Sequence, residues 1–142
     1  MSADQHRWGE KGSTIEAVVV FEDWLGPVSA LIQSVDNKHY AVIYLIAWKA
    51  PELKRRIFAL RAIQKRAAEV YLRNIRSDYC DLDRKQNEAE ALFAAADPVS
   101  LLIRTSDNMI EGASATDANP PQKPWRDISP DDYLKWKEQL AD

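Results

Sequence analysis

The chain holds one cysteine, two histidines and four glycines among its 142 residues, and each scarcity excludes a class of chemistry. Cys80 alone cannot close an internal disulfide, which fits a reducing compartment and gives cytoplasmic as the expected location. His6 and His39 are too few for zinc spacing, and no local signature joins either to Cys80 as a nucleophile–base pair. The scattered glycines form neither a phosphate-binding loop nor a dinucleotide fingerprint. No apolar run exceeds the nine residues from Tyr40 to Trp48, about half of the ~20 a spanning helix needs. Residues 1–13 lack the apolar centre of a signal peptide. The expectation is no cofactor, no metal, no membrane contact and no catalytic residue.

What remains is ordinary in amount and unusual in arrangement. Hydrophobic residues make up 46% and charged residues 29% of the chain, as in soluble globular domains. The net charge is −3, yet residues 51–76 hold eight basic residues against Glu52 and Glu69, a local charge of +6 that leaves −9 elsewhere.

Local patterns give an α+β domain over residues 14–111, between a flexible tail at 1–13 and a proline-containing linker at 112–124. An aromatic helix at 125–142 follows. Ile15 to Trp24 is rich in β-branched and aromatic residues and alternates as a strand does. Gly26-Pro27 breaks it, and a second strand follows at about 28–35. Asp36-Asn37-Lys38 supplies turn chemistry before a third strand at about 39–48, apolar on both faces and therefore central. Residues 100–105 make a fourth strand. The sheet expected is antiparallel, with three or four strands, because its links are short.

Residues 51–76 read as one long helix, with Pro51 in its first turn. Leu53, Ile57, Leu60, Ile63, Ala67, Val70, Tyr71 and Ile75 share an apolar arc of roughly 140°. Lys54, Arg61, Lys65 and Arg76 lie opposite, with Arg66 and Arg73 on the flank and Phe58 and Leu72 among them. Arg56 alone points toward the apolar side. A second helix spans about 82–96, ended by Asp97-Pro98. A third spans about 130–141, with Ser129 as N-cap, Pro130 in the first turn and Asp131 and Asp132 near the positive dipole end.

Three surfaces can then carry function. The basic helix face, through Lys54, Phe58, Arg61, Lys65, Arg66, Leu72, Arg73 and Arg76, fits an acidic surface on another macromolecule. A non-enzymatic interaction protein is the reading this favours, such as a bacterial or phage accessory or inhibitor protein. The same face could track phosphates, which makes nucleic acid the second reading. The aromatic residues Trp125, Tyr133, Trp136 and Leu140 form a docking helix that either completes its own core or swaps into a homodimer. Asp78, Asp81 and Asp83 could hold a divalent cation for a metal-dependent enzyme, though helix capping explains them more simply.

Overall fold

The computed structural model describes residues 8–49, 54–77, 82–115, 120–123 and 127–140, with backbone alone at 76, 77 and 82–85. It is an α+β fold built on one six-stranded antiparallel sheet: β1 (Ala17–Asp23), β2 (Pro27–Gln33), β3 (Tyr40–Trp48), β4 (Arg55–Ile63), β5 (Leu101–Ser106) and β6 (Met109–Ala115). The strands lie side by side in chain order. Helices α1 (Lys65–Ser77) and α2 (Leu82–Ala95) fill the connection from β4 to β5, and α3 (Pro130–Lys137) runs into a 3-10 turn, Glu138–Leu140. Among the described residues, no helix is long and apolar enough to cross a membrane.

The turns follow from their residues. Leu25 (φ 53°) and Gly26 (φ 123°) turn the chain between β1 and β2, and Asn37 (φ 62°) turns it between β2 and β3. Asp107 and Asn108 both have positive φ (51° and 67°), the mirror-image turn that matches strand twist in a two-residue hairpin.

The sheet rolls until the chain ahead of β1 meets β6. Thr14 bridges Met109, the Gly12 amide donates to the Ile110 carbonyl at 2.9 Å, and the Ile110 amide returns to Ser13 at 2.8 Å. Rolling explains how both faces can be buried. One cluster, with Ala30, Ile43, Leu45, Phe58, Leu60 and Ile103, is strand-built and carries Trp8 and Ile15 at its border. The other, with Leu31, Val42, Tyr44, Ile46 and Ile57, packs against Tyr71 of α1, Leu92 and Phe93 of α2, and Trp136 and Leu140 of the C-terminal segment.

Two expectations are corrected. The sheet has six strands rather than three or four, and the long helix at 51–76 does not form. Residues 55–63 are β4, paired on one side with β3 and on the other with β5. A strand buried on both faces needs no polar alternation, so Ile57, Leu60 and Ile63 can imitate a helical period. Ile57 and Ile63 actually face the helices, while Phe58 and Leu60 face the inner cluster. The helix starts only at Lys65. The other added strand, β6, begins after Asn108 and reaches Ala115, into the span expected to be linker. The strand expected at 100–105 and the helices expected at 82–96 and 130–141 are present within a few residues. Ser129 caps α3 by accepting from the Asp132 amide at 3.2 Å.

Candidate functional site

Replacing the long helix by a strand and a shorter helix disperses the expected basic face. Lys54 is exposed ahead of β4, whereas Phe58 and Arg61 are buried within that strand. Lys65, Arg66 and Arg73 are exposed on α1, and Leu72 packs partly against the core. The side chain of Arg76 lies outside the described residues. Three of the eight residues thus share an exposed helical surface, flanking Val70, which is 42% exposed.

The two buried arginines of β4 have structural partners. Arg56 donates to the carbonyls of Pro27 (2.7 Å), Trp24 (2.9 Å) and Leu25 (2.5 Å), across the β1–β2 turn. Burial lowers its pKa from the usual guanidinium value, and the charge of Asp23 opposes that shift. Arg61 donates to Ala96 (3.0 Å), Asp97 (2.8 Å) and Gln122 (3.0 Å), tying β4 to the end of α2 and to residues 120–123. Beside it, the Tyr44 hydroxyl donates to the Pro121 carbonyl. Burial raises the Tyr44 phenol well above its ordinary pKa, against the opposing charge of Arg61.

The aromatic C-terminal segment packs on its own chain. Trp136 and Leu140 are buried in the helix-side core. Tyr133 lies 4.5 Å from the Trp48 ring, centroid to centroid, and its hydroxyl donates to the Trp48 carbonyl at 3.2 Å. Trp125 lies outside the described residues, as do Asp78 and Asp81. Asp83 belongs to α2, with its side chain outside the description. Among the described residues no three histidine, cysteine or carboxylate side chains gather where they could hold a metal ion.

A deep concavity lies elsewhere, along β1. It is a cleft of about 980 Å³, large for a ligand site. Val19, Val20, Phe21 and Glu22 form one wall, Tyr71 and Ile75 of α1 with Gln86, Ala89, Glu90 and Phe93 of α2 form the other, and Ser29, Lys123 and Asp127 complete it. Phe21 anchors the floor, with its ring edge-on to Tyr71 at 5.8 Å and to Phe93 at 5.5 Å.

The lining by four consecutive residues of β1 is informative. The register shift between Val20 and Glu22 interrupts the alternation of side chains and sets Glu22 opposite Ser29, which also lines the cleft, so the cleft lies over the helix-facing side of β1 and runs to its outer edge at Val20. That edge is open: β1 pairs with β2 on one side, and among the described residues no strand pairs with Ala17–Asp23 on the other. The bridge to β6 ends at Thr14, before β1 begins. Register shifts at three points between Ala17 and Asp23 kink this edge, as bulges do where indiscriminate pairing must be avoided.

Sequence reasoning missed this site. Residues 15–24 read as a strand, and nothing local to them tells an edge strand from a covered one. No family model matches the chain, and no curated protein or solved structure matches it either.

Proposed function

We propose that this protein is a non-catalytic interaction module that captures an extended segment of another polypeptide in the cleft beside β1. The supporting observation is an open strand edge lining a groove with apolar walls. An added strand satisfies the outward amides and carbonyls of β1, which supplies affinity, while alternate side chains meet the walls and supply selectivity. The kinked register of β1 restricts which segments can pair. The lone cysteine fits a cytoplasmic setting.

A second reading keeps α1 as the contact. Lys65, Arg66 and Arg73 are exposed around Val70 beside a shallow groove of about 360 Å³ between α1 and α2. An acidic protein surface suits that combination. A nucleic acid suits it less, because the cations are fewer than a continuous helix from 51 to 76 would have carried.

A displayed random-peptide library separates the two. The strand-addition reading expects enrichment of extended, apolar-alternating peptides on the wild type. Enrichment should vanish for Ala89→Arg, which fills the cleft from a partly exposed helix position, and persist when Lys65, Arg66 and Arg73 are all changed to Glu. The opposite pattern supports α1 and removes the cleft.

A further inference from the structure

We infer that the segment added to β1 is cationic: an extended peptide alternating apolar residues with lysine or arginine. This rests on the strand-addition reading and goes beyond it by naming the chemistry of the partner. Among the described residues the cleft is lined by three carboxylates, Glu22, Glu90 and Asp127, against one ammonium, Lys123. Glu90 on α2 and Asp127 ahead of α3 are both exposed, so each can meet an incoming charge without leaving water. The whole chain is also negative, at −3. Anionic segments are therefore repelled over long range, and cationic ones are steered toward the cleft.

The walls set the rest of the pattern. Ile75, Ala89 and Phe93 offer apolar surface opposite the β1 edge. An extended chain turns every second side chain the same way. Those facing Ile75, Ala89 and Phe93 must be apolar to leave no polar group unpaired, and those between them carry long lysine or arginine side chains that reach Glu90 and Asp127 at the exposed margin of the cleft. A segment matching the seven residues of β1 spans about 23 Å at ~3.3 Å per residue.

The test uses the full chain and three synthetic nine-residue peptides with valine at alternate positions and lysine, serine or glutamate between them, titrated by fluorescence anisotropy. The lysine peptide should bind at least tenfold more tightly than the glutamate peptide at low salt, and the gap should narrow as salt rises. N-methylation of alternate amides should abolish its binding, since strand pairing needs those donors. The double variant Glu90→Lys with Asp127→Lys, both at exposed positions, should lose or reverse the preference. Equal or tighter binding of the glutamate peptide overturns the cationic assignment and leaves strand addition standing. Absence of binding by all three peptides, or retained binding after N-methylation, overturns strand addition and the assignment with it.

Discussion

Arg56 of β4 donates a 2.7 Å hydrogen bond to the Pro27 carbonyl at the start of β2, past the one intervening strand, β3. Its other terminal nitrogen reaches Trp24 and Leu25, so one buried guanidinium holds the whole β1–β2 turn. The turn needs holding, because Leu25 sits at φ 53°, a conformation unfavourable for a branched side chain. A methyl group on Gly26 would also lie 3.2 Å from Arg56 Nη2. The position of β1, and with it the open edge, follows from this clamp.

Truncating Arg56 to Ala should therefore destabilise the protein by about 3 kcal/mol, because three carbonyls of the turn lose a charged donor and its buried side chain leaves a gap. Arg56→Lys should recover only part of this, since an ammonium cannot span three carbonyls as a planar fork does. Urea unfolding followed by tryptophan fluorescence gives both values. Equal stability of Arg56→Ala and wild type would remove the clamp.

Tyr44 makes a prediction about pH. Its phenol is raised by burial in the folded state, so the unfolded chain loses the proton first as pH climbs. The stabilisation is full below the ordinary tyrosine pKa of about 10 and is lost as pH rises above it toward the folded value. Stability should fall as pH climbs above about 10, and Tyr44→Phe should flatten the fall. An unchanged slope in Tyr44→Phe would assign it to other groups.

Trp136 separates packing from polarity. It is 3% exposed, and its indole Nε1 finds no acceptor among the described residues. Trp136→Ala should cost about 3–5 kcal/mol by opening a cavity. Trp136→Phe should cost far less, about 1 kcal/mol, because the smaller ring also removes an unpaired buried N–H. Thermal unfolding of the two variants should place Phe much closer to wild type than Ala. Similar large losses would mean that the N–H carries no penalty.

Charge reversal on α1 makes a contrasting prediction. Lys65, Arg66 and Arg73 are exposed, so changing all three to Glu should alter stability by less than about 1 kcal/mol. Denaturant midpoints measure it. A large loss would mean that this surface has structural duty.

The sequence showed the β1–β3 meander because Gly26-Pro27 and Asp36-Asn37-Lys38 mark its turns and the strands are β-branched. The third helix was equally legible from Ser129 and Pro130. Residues 55–63 were not, because a strand covered on both faces and paired on both edges has no alternation to display, and Arg61 in it resembled part of a polar helical face. Arg56 and Arg61 are buried only because carbonyls distant in sequence receive their donors. The strand at 109–115 hid behind Gly112 and small residues that resemble linker. The cleft had no local signal at all, since it depends on where β6 stops pairing and where α1 and α2 lie.

The most direct test is a nuclear magnetic resonance titration of the isotope-labelled protein with the alternating valine–lysine peptide. The account predicts the largest amide shifts at Val19, Val20, Phe21 and Glu22, with cross-strand contacts between peptide backbone protons and β1. Shifts confined to Lys65, Arg66 and Arg73, or contacts from peptide side chains with no backbone pairing, would contradict it.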